Sequence, residues 1–389
     1  MALITSTDPN ESTVEQWTTE IRRDDDAWSQ IEADWEALYA RCPTAPPFLC
    51  HAWLSSWWRC YGRSGALVLV LVRREGRLVA AIALARRRRL GVSVLAPVGE
   101  GVSDLSDVLI DPEYSAPARD RLTDALWQLA ARHAIDLGEL PPQAAAEGVA
   151  ETWPGRVWRY PGALCLELPG QSFADLLASL PSKTARRARN KTRAIDAAAI
   201  AVRWADADGA AASVASLLAL HREQWRGRPM NPEHARPRFA THLVGAATAM
   251  VGRGQAAIAE YRLDGALVGV DVLVVGQRMV GGYLYGIHPT LRRRVDAAQL
   301  LLTHNLGLTD RLGRPTFSYL RGDEPHKRVW RPTERRSQRT VLTGQQGLAA
   351  RSYVVAVDGR ARMAAFVRTR LPGILPTIAR IRAWRPFST

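Results

Sequence analysis

Near the start of the chain, apolar residues recur at helical spacing. Trp28, Ile31, Trp35, Leu38 and Tyr39 fall three and four apart, which places them on one face of a helix. Beyond a proline-rich break between Pro43 and Pro47 a second face follows, with Trp53, Leu54, Trp57, Trp58 and Tyr61. A tryptophan cluster at this spacing reads as core rather than as a ligand platform. The period then changes. Apolar runs at 66–73 and 77–86 flank Arg-Glu-Gly, a hairpin signal. Strand-like runs at 90–98 and 107–110, a helix through Leu122, Leu126 and Leu129, and a strand at 135–140 complete the first half.

The second half predicts helices at 173–180, 183–198, 210–225 and 239–251. Strands follow at 256–262, 266–275 and 279–286, then a helix at 296–312 and a strand at 316–320. The halves can be aligned: Glu75-Gly76-Arg77-Leu78-Val79-Ala80 parallels Asp264-Gly265-Ala266-Leu267-Val268-Gly269. In each, a further strand ends near an X-Pro step, Asp111-Pro112 and His288-Pro289, before a helix and another strand. The pattern predicts an α/β (α+β) fold of two duplicated units, with mixed, mainly antiparallel sheets flanked by helices. Alternating Pro, Gly and short apolar runs over 154–170 mark the boundary. The expected division is therefore 1–160, 161–345 and a basic tail, 346–389.

The composition of the 389 residues, 47% hydrophobic and 23% charged, is that of an ordinary folded protein. No apolar run nears the ~20 residues that span a bilayer. The N-terminus lacks a basic region followed by an apolar stretch, so a cytoplasmic location is expected. Cys42, Cys50, Cys60 and Cys165 form no CxxC pair and read as free thiols. Charge is less ordinary. The net value is +14; residues 351–389 hold eight arginines against Asp358, and 182–193 hold six basic groups and no acid. Polyanions fit such segments: cofactor phosphates, tRNA or an anionic membrane. The scarcity of lysine (Lys183, Lys191 and Lys327) beside abundant Ala is equally the mark of a GC-rich gene. In the tail, Met363, Phe366, Val367 and Leu371, then Ile374, Leu375, Ile378, Ile381 and Trp384, form an apolar stripe broken at Pro372-Gly373. That stripe either packs on the rest of the chain or makes peripheral contact with the inner membrane face.

There is no GxSxG, GxxxxGK[ST] or HExxH, and no Cys/His cluster at metal-ligand spacing, so no metal is expected. Three segments remain: Leu220-His221-Arg222-Glu223-Gln224-Trp225, Tyr283-Leu284-Tyr285-Gly286-Ile287-His288-Pro289, and Arg321-Gly322-Asp323-Glu324-Pro325-His326-Lys327-Arg328-Val329-Trp330. Asp323 follows a strand end and a glycine, where loops present functional groups; it either holds or deprotonates an amine or makes a surface ion pair. Lys327, four residues on, either pairs with Asp323 or binds a substrate anion. His221 is a general base near neutrality or a hydrogen-bonded helix histidine. Tyr283 and Tyr285 alternate with Leu284 and are expected on one sheet face. Tyr285 then serves as a leaving-group acid or substrate contact.

Together these segments resemble acyltransferases of the GNAT superfamily, in particular the type associated with cellulose biosynthesis, relatives of the Fem-type peptidoglycan aminoacyltransferases. Arg-Gly-Asp-Glu-Pro-x-Lys-x-x-Trp is the most specific element, supported by Leu-His-x-x-x-Trp and by Pro47-Phe48-Leu49 with Trp53. The resemblance extends over about 28–345 and implies tandem GNAT-like units, the first non-catalytic because Glu139-Leu140-Pro141-Pro142 stands where the second has Asp and Lys. It implies N-acyl transfer from acetyl-CoA or another acyl-CoA to an amine of a sugar, envelope precursor or specialised metabolite. His221, Tyr285, Asp323 and Lys327 would be catalytic, and Trp225, Tyr283, Glu324 and Trp330 would contact substrate. GNAT enzymes hold the CoA pyrophosphate in a Gln/Arg-x-x-Gly-x-Gly/Ala loop at a helix N-terminus. Here Leu291-Arg292-Arg293-Arg294-Val295-Asp296-Ala297-Ala298 lacks both glycines. Arg292, Arg293, Arg294, Ala297 and Ala298 are the cofactor-binding candidates, and Asp296 opposes a phosphate. A charged-tRNA donor, as in Fem-type relatives, needs no such loop. A non-catalytic scaffold in an envelope-polysaccharide system is the third reading.

Overall fold

The computed structural model describes residues 16–228, 230–344 and 352–359; the apolar stripe of the tail lies outside them. The first half runs β1 Trp17–Arg22, α1 Ala27–Gln30, α2 Glu32–Arg41, α3 His51–Tyr61, β2 Leu67–Arg74, β3 Arg77–Arg89, β4 Val92–Pro97 and β5 Leu109–Ile110. It continues through α4 Ser115–Ala130, β6 Ala134–Leu140 and α5 Ala145–Glu151. Next come β7 Arg156–Pro169, α6 Phe173–Ser179, α7 Ser182–Ala197, β8 Ala201–Trp204, α8 Ala207–Gln224 and α9 Pro237–Gly252. The chain then forms β9 Ala256–Leu263, β10 Ala266–Val275, β11 Met279–Ile287, α10 Pro289–Arg294, α11 Ala297–Arg311, β12 Thr316–Arg321, α12 Pro325–Arg328 and β13 Thr333–Thr343.

One sheet joins all the described strands, in the order β1-β2-β3-β4-β6-β13-β7-β12-β11-β10-β9-β8, with β5 on β3. Among the described residues it is antiparallel except at β4/β6 and β11/β12. Helices cover both faces. Val270 and Val272 of β10 join the tryptophan-rich cluster of α2, α3, α8 and α9, while Leu273 and Val275 join the cluster that holds Leu302 and Leu306 of α11. Trp35, Trp53 and Trp57 are fully buried, so the helical aromatic stripes are core.

The duplication extends to the backbone. Glu75-Gly76 and Asp264-Gly265 share φ values of 51° and 80°, a turn conformation that glycine adopts without cost. Each hairpin carries its bulge at the same place, at Val79 and Val268. The carbonyl of each bulged valine accepts an N–H from the residue before the proline, Asp111 at 2.8 Å and His288 at 2.9 Å. Glu139 and Leu320, near the ends of β6 and β12, both have φ 55°. The chain is thus two units of the same element order in tandem.

The units exchange strands. β7 follows the first unit in sequence yet pairs with β12 of the second; β13 follows the second yet pairs with β6 of the first. β7 and β13 then pair with each other at the centre of the sheet. Residue 160 accordingly lies inside β7 rather than in a linker. The misleading feature was Pro161-Gly162. Proline sits here at a register shift opposite Arg336–Gln338, the position a strand allows it. Gly162 lets the Ser337 backbone approach closely, with no room for a Cβ.

Candidate functional site

Parallel β11 and β12 pair only at Met279/Thr316, Val280/Phe317 and Gly281/Ser318, after which the strands part. The V opens toward their C-terminal ends, where loops of α/β sheets gather ligands. The first unit has the same feature: β4 and β6 pair only at Val94/Ala134 and Leu95/Ile135. There the opening is filled. Residues 98–108 interrupt the strand, and Ser106 donates its N–H to the Glu139 carbonyl (3.0 Å) and its hydroxyl to that of Gly138 (2.5 Å).

The same loop reaches across to the second unit. The Asp104 carboxylate accepts from the Arg321 Nε at 2.6 Å and from its backbone N–H at 3.3 Å. Tyr283 donates its hydroxyl to the Val102 carbonyl (3.1 Å), and its ring lies edge-on to Phe48 and Trp53. A bulge between Val272 and Leu273 of β10 lies opposite Tyr283. Tyr283 and Leu284 consequently pack into one cluster and Tyr285 into another. The expectation that Tyr283 and Tyr285 share a face is corrected, and Tyr283 belongs to the junction between units.

His221 is placed by α8, which lies directly on β11. A Cβ at Gly286 would stand 2.5 Å from the Leu217 carbonyl oxygen and 2.7 Å from the His221 nitrogen, so only glycine permits this approach. Nδ1 of His221 lies 2.8 Å from the Tyr285 carbonyl. A carbonyl only accepts, so Nδ1 carries the proton and Nε2 the lone pair. That lone pair faces Nδ1 of His234 at 3.3 Å, whose own Nε2 lies 3.4 Å from the Asn231 amide nitrogen. Burial pushes His221 down, and burial together with His221 and Arg321 pushes His234 down to about 4. The pair is neutral at pH 7.

The loop after β12 brings a second group. Lys327 is buried, with Nζ 2.6 Å from Glu324 Oε2 and 5.5 Å from the centre of the Tyr319 ring. Gly322, at φ 136°, makes room for the Glu324 carboxylate folded over it. Burial raises Tyr285, with Arg292 opposing and Glu324 adding to that, and the Gln224 Oε1 nearby accepts the Ile287 N–H at 2.9 Å. Tyr285 and Lys327 thus have Glu324 as a common neighbour, and His221 meets β11 at the Tyr285 carbonyl. Asp323 is not among them. It is exposed and ion-paired with Arg328, which also binds Glu334 at 2.7 Å. Trp330 is core, edge-on to Phe173 at 5.5 Å. Trp225 is half-buried, its ring 6.1 Å from His221 and capped by Arg228.

At the cofactor candidates, Arg292, Arg293 and Arg294 are exposed on α10, and Ala297 and Ala298 open α11. Asp296 caps α11 through the Gln299 N–H (3.0 Å), and its other oxygen takes Lys191 of α7 at 2.5 Å. The helix N-terminus thus already holds an anion. Sequence reasoning missed His234 and Asp104 as members of this region, and gave Arg321 no partner. Only Asn231-Pro232, a turn signal before His234, hinted at the first; no local pattern links residue 104 to residue 321. Among the described residues no cluster of His, Cys, Asp and Glu could hold a metal ion, the four cysteines are free, and no helix is long and apolar enough to cross a membrane.

Residues 182–328 match the family model described as an acetyltransferase (GNAT) domain. No curated protein matches the sequence. Among solved structures, the chain is similar to FemX at 11% identity and a TM-score of 0.58, covering 79% of this chain and 95% of that one. It is also similar to L-PGS from Bacillus licheniformis, at 9% identity and a TM-score of 0.53, covering 85% and 95%. A conserved protein of unknown function from Bacteroides thetaiotaomicron gives 12% identity, a TM-score of 0.51 and coverage of 80% and 97%. At such identities the likeness is one of fold. The second unit is a GNAT acetyltransferase domain. The chemistry it brings to the chain is acyl transfer, and the protein is an acyltransferase.

Proposed function

We propose that this protein is a cytoplasmic N-acyltransferase, of the type associated with cellulose biosynthesis, moving an acyl group from acyl-CoA to a primary amine of a sugar, envelope precursor or specialised metabolite. The observation that carries the reading is the difference between two otherwise equivalent openings. Across the first, Ser106 bonds to the backbone of β6; at the second, side chains meet the parted strands, His221 at the Tyr285 carbonyl, Gln224 at the Ile287 N–H and Asp104 at the Arg321 N–H. Where side chains rather than backbone hold the strand edges, they can give way to an amide-bearing arm such as that of CoA, which bonds to the edges as an added strand does. The first unit is then non-catalytic, and its loop 98–108 braces the second.

The chemistry follows from the groups present. The amine nitrogen attacks the thioester carbonyl carbon, the new C–N bond forms, and the C–S bond breaks as the oxyanion collapses. Lys327 faces the developing oxyanion, as a fixed cation in a water-poor site does most effectively. The ammonium proton passes to the neutral His221–His234 pair, and Tyr285 returns a proton to the leaving thiolate. Trp225 lines the acceptor side. Asp323 serves the loop's geometry through Arg328.

The test is a thermal-shift series with acetyl-CoA and longer acyl-CoAs, followed by thiol release against a panel of amines. Stabilisation by an acyl-CoA with amine-dependent thiol release supports the reading; neither response, with an intact fold, removes it. One observation favours a second reading, aminoacyl transfer from charged tRNA: Asp296 occupies the helix end where a pyrophosphate would otherwise sit. Charged tRNA in the same thermal series separates the two.

A further inference from the structure

Helix α7 has no part in the chemistry above, yet with six basic residues it holds more than any other element described. Its buried side is Ala185 and Ala188, fastened to α11 by the Gln299 side chain, which donates to the Ala188 carbonyl (2.8 Å) and the Thr192 hydroxyl (3.0 Å). Lys183, Arg187 and Lys191 are exposed at intervals of four, hence stacked along one side over about 12 Å. Lys191 shows which way that side faces, because its ammonium reaches Asp296. Asp296 lies two residues beyond Arg294, and Arg292–Arg294 of α10 are exposed as well. Among these residues the single acid is Asp296, already neutralised by Lys191. The two rows meet at Asp296, which Lys191 of α7 reaches at 2.5 Å, and α10 follows directly from the end of β11 at the opening.

We infer that the Lys183–Arg187–Lys191 stripe, with Arg292–Arg294, grips the nucleotide phosphates of the acyl donor, in place of a glycine-built helix N-terminus. This rests on the acyl-CoA reading. The 3′-phospho-ADP head of CoA carries a diphosphate and a phosphomonoester, separated groups that a row of side chains can reach individually. Arginine forks and lysine ammoniums bind phosphate oxygens through charge-assisted hydrogen bonds that need no close backbone approach. That removes the requirement for glycine at the positions of Val295 and Ala297. Asp296 then fixes Lys191 in place and weakens phosphate binding by its own charge.

The experiment is calorimetric titration of the full chain at low salt with CoA and, separately, with an acyl-pantetheine, which has the amide arm and no nucleotide. The proteins are wild type, the double variant Lys183→Ala/Arg187→Ala, and Asp296→Asn, which keeps a good N-cap while removing the charge. The expected result is a loss of about tenfold in CoA affinity for the double variant, unchanged acyl-pantetheine binding, and tighter CoA binding by Asp296→Asn. CoA binding by the double variant equal to wild type overturns the inference and leaves the acyl-CoA reading standing. Wild type that binds neither compound overturns both. A third arm with bulk tRNA separates the sources: tRNA binding lost in the double variant, without CoA binding to wild type, assigns the stripe to RNA and overturns the inference.

Discussion

His221 and His234 form a neutral pair, Nε2 of the first 3.3 Å from Nδ1 of the second, with proton positions dictated from outside by the Tyr285 carbonyl. His234 in the folded chain titrates at about 4, against roughly 6.5 for a free histidine. The unfolded chain therefore binds more protons between these values, and stability falls as pH drops from about 6.5 toward 4. Thermal unfolding across that range is expected to show the decline, with a shallower slope for His234→Gln. A steeper slope for the variant would contradict the assignment. Transfer activity is expected to decline on the acid side as the pair protonates.

Gly286 carries the placement of His221. Gly286→Ala drives a methyl group into the α8 backbone, a strain of about 1–3 kcal/mol. Denaturant midpoints should show that loss, and activity should fall further than stability because α8 moves His221. Gly307, on the open side of α11, is the control: a Cβ there meets nothing within 4 Å, so Gly307→Ala is expected to be neutral or stabilising.

Lys327 and Asp323 separate the buried from the exposed half of one loop. Lys327→Met is expected to lower turnover on the order of a hundredfold or more, as removal of an oxyanion partner does. Asp323→Asn should change it by less than about threefold and leave stability within ~0.5 kcal/mol, since it removes a surface ion pair. Equal and large losses in both would return Asp323 to the chemistry.

Asp104 and Arg321 clasp the two units with little water around the carboxylate, whose titration burial pushes upward. Removing Asp104 leaves the half-buried Arg321 with the more distant Glu139 carboxylate at 3.7 Å, at a cost of about 2–4 kcal/mol. Asp104→Ala is expected to destabilise by that amount and to lower activity, because the clasp holds the end of β12 from which Lys327 hangs. Unchanged stability would show that the loop does not brace the second unit.

Much of this architecture was legible because its signals are local. The acidic-Gly hairpins at 75–76 and 264–265, the alternation after them and the X-Pro steps each rest on neighbouring residues. What stayed hidden depended on distance. β7 looked like a linker because Pro161-Gly162 reads as a break until Ser337 stands opposite. β13 carries no apolar alternation to signal it, since Arg335, Arg336 and Arg339 interrupt it, and Glu167 and Asp136 of its neighbours receive two of those charges. At the site, His221, Tyr285 and Lys327 were marked by their motifs. His234 and Asp104 came into view only when the fold set them beside His221 and Arg321.

Amide hydrogen exchange with and without acyl-CoA tests most directly whether the second opening is the donor site and the first is closed. Ligand-dependent protection is expected in peptides covering 282–287 and 319–328, with none in those covering 94–108 and 134–140. Protection confined to the first unit, or saturating acyl-CoA that leaves 282–287 and 319–328 exchanging as in the free protein, would contradict the account.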